Sequence, residues 1–369
     1  MKQTEISNDQ KLKQTFDPYA PHKIKWWGWP LLLLLIVGTI YVMRNNGAHK
    51  TDSEYTVWPA DEVQKCEGAI FGTFYHITYQ SITPMQDGIE QTLEQVDNSL
   101  SPFNKQSVIT AINNNICLDA DSMFTEVFNL AKQISSNTNG AFDITVAPLV
   151  NLWGFGFQHM DSVSDCIVDS LLQFVGFGKV SLVDGIVKKE FPETMLDCSA
   201  IAKGYGVDAV GKYLERQGVK NYMVEIGGEV RVRGTNPKGA LWKIGINRPI
   251  SDPTNTKNEI EQVLNVTQLS MATSGNYRNF YEKDGKKYAH TIDPRTGHPV
   301  QHSLLSSTVL TQDCSVADAY ATAFMVLGMD EAQKVLATHH ELQAFFIYTD
   351  SLGQTKEWFT EGIKEMMNQ

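Results

Sequence analysis

The chain has 369 residues, 42% of them apolar, and a formal net charge of −11 at pH 7. That length and apolar content support a substantial buried core, as one large domain or two closely packed halves. The acidic balance, with no run of Lys and Arg to offset it, excludes a nucleic-acid partner and requires that any anionic ligand be met by a metal ion or by local cations.

Residues 1–25 form a polar leader in which Lys2, Lys11, Lys13, Lys23 and Lys25 outnumber Glu5, Asp9 and Asp17. From Trp26 to Met43, WWGWPLLLLLIVGTIYVM runs for about eighteen residues without a charge, long enough to span a bilayer. The leader is too long for a signal peptide and no small-residue cleavage site closes the run, while no cysteine follows closely enough for a lipoprotein. Trp26, Trp27, Trp29 and Tyr41 stand where an interfacial aromatic belt would. The expectation is a single-pass anchor at 26–43 in a bacterial inner membrane, with the leader in the cytoplasm, a linker at 44–65 and a periplasmic domain at 66–369. Five cysteines (Cys66, Cys117, Cys166, Cys198, Cys314) lack CxxC spacing, which excludes a zinc ribbon or thioredoxin-like site. Their odd number leaves at least one free thiol; Cys198 is the candidate, read as a small buried hydrophobe rather than a nucleophile.

Tyr75, Ile77 and Tyr79 alternate in FGTFYHITY and predict a strand. Ile89, Leu93, Val96 and Leu100 mark a helix that SPFNKQS ends, and Phe124, Val127, Phe128, Ala131 and Ile134 mark a second, closed by Gly140. After AFDITVAP, the run NLWGFG is too rich in glycine and aromatic residues for a regular element and reads as a loop able to wall a pocket. Strand signals at Val180–Val183, Val187–Phe191 and Met195–Asp197 feed a helix with apolar residues Ile201, Tyr205, Ala209, Val210 and Leu214, N-capped by Ser199 and closed by Gly218. Tyr222–Glu225, Glu229–Arg233, Lys243–Ile246 and Val263–Leu269 read as strands, with MATSGNY and EIGGEVRVRG as glycine-centred turns at strand ends. Ser315–Leu327 and Asp330–Thr338 read as helices before a last strand, Ala344–Tyr348. The pattern is α+β, mixed sheets flanked by helices, preceded by one transmembrane helix.

Chemistry gathers in DCSAIAKGYGVD, Asp197 to Asp208. Free backbone N–H groups and the positive dipole end of the helix beside Lys203 suit a phosphate ligand; an ordinary capped helix with a solvated lysine is the competing reading. GYGVDA matches the dinucleotide fingerprint in letters, but the helical period has already begun where that fingerprint needs a strand. Ser199 and Lys203 are four apart rather than the three of S-x-x-K hydrolases. Asp318 and Thr322 are also four apart on a helix, so a carboxylate and a hydroxyl share one face and, with a nearby carbonyl, make a hard-cation site of the Mg²⁺ type. A capping acid with a back-bonded threonine is the alternative there. HTIDPRTGHP sets His290 before a tight turn.

Taken in order, FGTFYHITY, SPFNKQSVITAIN, NGAFDITVAPLVNLWGFG, DCSAIAKGYGVD, EIGGEVRVRG, SGNYRNFY, HTIDPRTGHP and DAYATA resemble the ApbE-type FAD:protein FMN transferases from about Gly68 to about residue 350. The resemblance implies a domain that binds FAD and, with Mg²⁺, transfers its FMN half to a Thr or Ser hydroxyl of an acceptor protein in a membrane redox complex, releasing AMP. It implies a metal held by the carbonyl of Ala200 and the side chains of Asp318 and Thr322, and flavin contacts at Phe71, Phe103, Ala141, Phe142, Asp143, Asp197, Lys203 and Ile292. Phe71 stands where many members have methionine, and Asn276 where an acid is usual. Phosphoryl-type transfer needs mainly alignment and neutralised charge, which Mg²⁺ and Lys203 supply in this reading, with Asp318 the essential acid and His290 the candidate to activate the acceptor hydroxyl. Hydrolysis of FAD to FMN and AMP at the same metal, and a membrane-anchored flavin-binding protein without catalysis, are the alternatives.

Overall fold

The computed structural model describes residues 56–156, 163–249, 260–276, 280–283, 286–289 and 291–367. The leader, the hydrophobic run at 26–43, most of the expected linker and His290 lie outside them. Among the described residues no helix is long and apolar enough to cross a membrane.

The strands are β1 (Val63–Ile70), β2 (Thr73–Gln80), β3 (Val180–Val183), β4 (Ile186–Lys189), β5 (Tyr222–Ile226), β6 (Glu229–Arg233), β7 (Trp242–Asn247), β8 (Ile260–Val266), β9 (Leu269–Gly275), β10 (Phe280–Lys283), β11 (Lys286–Ala289), β12 (Leu304–Thr311), β13 (Gln343–Thr349) and β14 (Thr355–Phe359). The helices are α1 (Gln86–Leu100), α2 (Val108–Asn113), α3 (Ser122–Asn137), α4 (Ala147–Leu152), α5 (Asp165–Leu172), α6 (Ala202–Arg216), α7 (Cys314–Leu336) and α8 (Glu361–Met367). Eight strands form one sheet in the order β1-β2-β5-β6-β9-β12-β13-β14, and β3–β4, β7–β8 and β10–β11 are two-stranded.

The α+β class holds. The sheets, expected to be mixed, are antiparallel at every described pairing. Each neighbour in the main sheet is reached by a hairpin or by an excursion that returns in the opposite sense, so no βαβ crossover arises. The first hairpin turns on two residues, Phe71 and Gly72, both at positive φ (51° and 72°), which matches the twist of its flanking strands.

Period-2 alternation sorts the sheet's two faces. Val309, Ala344 and Phe346 join the core built with α3 and α7, whereas Leu310, Phe345 and Ile347 pack on the other face beneath β7–β8 and α8. At the β2–β5 end, Tyr75, Ile77, Tyr79, Tyr222 and Val224 pack against Ile89 and Leu93 of α1 and Val207, Val210 and Leu214 of α6. The apolar positions of α1 and α3 are buried as their spacing predicts, and Asp121 caps α3 by accepting the Phe124 N–H at 2.7 Å.

Several boundaries differ from the sequence reading. The segment 56–65, expected as the end of a linker, is part of the fold: Trp58 is buried against Trp242 and β1 begins at Val63. SPFNKQSVITAIN contains a short helix, α2, that the sequence reading leaves out, capped by Ser107. Met195–Asp197 is not a strand, because its polar groups bond sideways to Asn113 and Ile144 rather than to a neighbouring strand. Val263–Leu269 divides into β8 and β9 at Gln268 (φ 54°), a bend that passes the chain from the small sheet to the large one, and MATSG lies within β9 rather than in a turn. In NLWGFG, Asn151 and Leu152 complete α4, and only the remainder is loop. The last two expected helices run as α7, broken at Gly328 (φ 72°, ψ −178°).

Candidate active site

A cleft of about 680 Å³ opens between the start of α6, one face of α7, the β5–β6 turn, β7, β9 and the loops at 141–144 and 291–294. All five cysteines are free thiols; Cys198 is buried, and burial pushes its thiol pKa well up, as a structural rather than reactive thiol requires.

The crossing of α6 over α7 sets the acidic floor of the cleft. Asp208 of α6 accepts hydrogen bonds from the backbone N–H groups of Cys314 and Ser315 (both 2.9 Å) and from the Ser315 hydroxyl (2.8 Å), so it caps α7 from outside the helix. Arg231 ties Asp208 (2.7 Å) to Asp313 (3.0 Å). At Gly204 the helices touch: an added Cβ would lie 2.4 Å from the Cys314 carbonyl oxygen. The Gly204 N–H donates to Asp318 Oδ2 at 3.0 Å. The glycines that imitate a nucleotide fingerprint thus serve helix packing.

Asp318 is 3% exposed and lines the cleft. One turn on, the Thr322 hydroxyl also lines it, in a hydrogen bond of 2.9 Å with Ser274. Ala200, in the turn before α6, completes the set. These are hard oxygen donors, as a divalent cation of the Mg²⁺ type demands. A further observation agrees: Glu229 Oε2 is buried without a hydrogen-bond partner, an uncompensated acceptor in the same wall. The residues present fit a hard metal ion.

Lys203 and Glu229 form a close ion pair, the acid 3% exposed. Burial pushes Glu229 up to about 7, with the nearby Asp318 adding to the shift and Lys203 opposing it. Burial alone would lower the Lys203 ammonium, but Glu229 and Asp318 outweigh that and hold it above the ordinary lysine value. Lys203 is therefore already engaged. The helix start is also less open than expected: α6 begins at Ala202 rather than after a Ser199 cap, and the N–H groups of Ile201, Ala202 and Gly204 already bond to Cys198 or Asp318. Two of these bonds are local and the third crosses to α7, so this end is not a bare cradle of backbone donors.

Ala141, Phe142, Asp143, Asp197 and Ile292 all line the cleft. Asp143 accepts from the Thr145 N–H and hydroxyl and from the Phe177 N–H (2.7–2.9 Å), so its carboxylate shapes the wall; burial raises its pKa against those bonds. Asp197, whose pKa burial also raises, accepts from the Ser199 N–H at 2.8 Å and holds the turn that presents Ala200. Phe103 stands at the mouth, 66% exposed. Phe71 lies apart, in an adjoining cavity of about 760 Å³ that shares Phe103, Ser199 and Lys203 with the cleft. The Asn276 amide oxygen accepts from Thr291 at 2.7 Å, a role an amide fills without charge. The sequence reading missed Glu225, Glu229, Lys243 and Ser274. The only trace of Glu229 was its place just after Gly-Gly in EIGGEVRVRG, where strand alternation turns it inward.

A sequence profile described as the ApbE family matches residues 71–346. The chain belongs to the ApbE family. A Haemophilus influenzae protein of the family, named FAD:protein FMN transferase, is 37% identical over 315 residues, covering 80% of this chain and 89% of that protein. A Vibrio cholerae serotype O1 protein of the same name is 34% identical over 321 residues, covering 84% of this chain and 94% of that one. The solved structure of the flavin transferase ApbE from Vibrio cholerae aligns with a TM-score of 0.74 at 33% identity, over 83% of this chain and 99% of that chain. The ApbE fold accounts for the order of motifs along the sheet and for their meeting around one cleft.

Proposed function

We propose that this chain is a Mg²⁺-dependent FAD:protein FMN transferase that links FMN to a Thr or Ser hydroxyl of a partner protein. Support comes from the two relatives' names together with one observation: Asp318 and Thr322 present oxygen donors on one helical face of a cleft that the Lys203–Glu229 pair also lines. Asp318, Thr322 and the Ala200 carbonyl would hold the metal, which when bound supplies neutralisation of pyrophosphate charge. The acceptor oxygen attacks the phosphorus of the FMN half, the bond from that phosphorus to the bridging oxygen breaks, and AMP leaves with that oxygen. The hydroxyl proton passes to a base, for which His290 is proposed from its place beside the cleft residues Thr291 and Ile292. Asp143 and Asp197 shape the flavin wall through their own backbone partners, while Phe103 and Phe71 extend it outward.

The acceptor belongs, in this reading, to a membrane redox complex, and the enzyme reaches it from an anchor at residues 26–43 with its domain on the periplasmic side, as the uncharged run and Lys-rich leader support.

The test is covalent flavin on an acceptor protein, read by gel fluorescence across a Mg²⁺ series. Asp318→Asn keeps the shape but loses the charge, and is expected to abolish transfer while leaving the circular dichroism spectrum unchanged. Thr322→Val should do less damage and recover partly at high Mg²⁺. Transfer by Asp318→Asn at the wild-type rate and Mg²⁺ dependence overturns the assignment. FMN formed without any acceptor marks water as the acceptor, and FAD left unchanged in Mg²⁺ marks a binding protein.

A further inference from the structure

Five carboxylates face the cleft, those of Asp143, Asp197, Glu225, Glu229 and Asp318, against two lysines, Lys203 and Lys243. An anionic dinucleotide entering so acidic a space needs cations that are not already paired. Lys203 is held by Glu229. Lys243 makes no side-chain hydrogen bond or ion pair with any described residue.

The local structure shows why Lys243 is available. It sits in the middle of β7, where Trp242, Ile244 and Ile246 are buried beneath the main sheet and fix the strand, and the Trp242 indole N–H bonds the Arg233 carbonyl at 3.1 Å. Lys243, Ile244, Gly245 and Asn247 of this strand all line the cleft, and Lys243, turned away from the buried positions Trp242, Ile244 and Ile246, keeps its side chain exposed. Across the β7–β8 pair Lys243 faces Asn265, a neutral residue, so no cross-strand acid competes for it. Asn247, two positions beyond Gly245, likewise has no described side-chain partner.

We infer that Lys243, which lines the same cleft as Asp318 and Thr322, is the cation that binds the phosphate groups of the incoming nucleotide. The inference rests on the proposed FAD-dependent function. It assigns phosphate recognition to a strand of the small sheet, whereas the sequence had pointed to the start of α6.

Binding of FAD and of riboflavin, which lacks phosphate, would be titrated by flavin fluorescence in EDTA on the whole chain for wild type, Lys243→Gln and Lys243→Arg. A charge-assisted hydrogen bond to phosphate corresponds to about tenfold or more in affinity. Lys243→Gln should therefore weaken FAD binding about tenfold, leave riboflavin binding unchanged and flatten the salt dependence of FAD binding; Lys243→Arg should restore most of the loss. Unchanged FAD affinity in Lys243→Gln, or an equal loss for riboflavin, overturns the assignment while leaving the proposed function standing. If wild type does not bind FAD, the nucleotide reading and this inference fall together.

Discussion

Glu229 couples the site to pH. Burial holds its carboxyl near 7, against about 4.5 in an exposed chain. The folded protein thus binds this proton more tightly than the unfolded one, so its contribution to stability is greatest below about 4.5 and falls as the pH rises toward 7, beyond which it stays constant. Lys203 is charged throughout that window and does not alter the sign. Glu229→Gln should flatten the slope: denaturant midpoints that fall between about pH 5 and about pH 7.5 in wild type should fall less in the variant. Equal slopes would show that the proton sits elsewhere. The arrangement also changes the meaning of substitutions at Lys203, since removing the ammonium leaves a buried carboxylate without its partner and mixes a folding cost with any loss of ligand.

The α6–α7 crossing is the element on which the position of Asp318, a proposed metal donor, depends. Gly204→Ala adds a methyl where 2.4 Å separates it from the Cys314 carbonyl oxygen and 2.8 Å from Asp318 Cβ, and backbone cannot yield as a flexible side chain does. Overpacking of this kind costs about 1–3 kcal/mol. The variant should melt lower and bind Mn²⁺, read by electron paramagnetic resonance, more weakly than wild type; a normal melt with normal Mn²⁺ binding would mean the helices separate without disturbing Asp318. Here the limits of the sequence become physical. The i,i+4 spacing of Asp318 and Thr322 is local and was legible, as were the apolar faces of α1 and α3. The partners of Lys203 and Asp208 were not, because Glu229 and Cys314 are brought to them only by the sheet and the helix crossing. Strand signals failed where side-chain bonds replaced a ladder, at 195–197, and where one apolar run served two sheets, at 263–269.

For the molecule as a whole, the described cores, the sheet and the cleft all belong to residues from Thr56 onward. With the uncharged run at 26–43 and lysines before it, protease added to spheroplasts should digest this domain while the cell membrane is intact. Protection of the domain would reverse the orientation. The order of the main sheet carries a further consequence, for the way the chain is made. Its eight strands lie side by side in the same order as they occur along the chain. A polypeptide emerging N-terminus first can add each strand to an edge already in place, and none has to be wedged between two that have already paired. The cleft gains its Asp318–Thr322 wall only when α7 arrives, between the sixth and seventh strands of that sheet. A ribosome-bound chain arrested before Asp318 would hold Ala200 and the two cleft lysines but lack Asp318 and Thr322, which makes completion of the cleft a late event in biosynthesis.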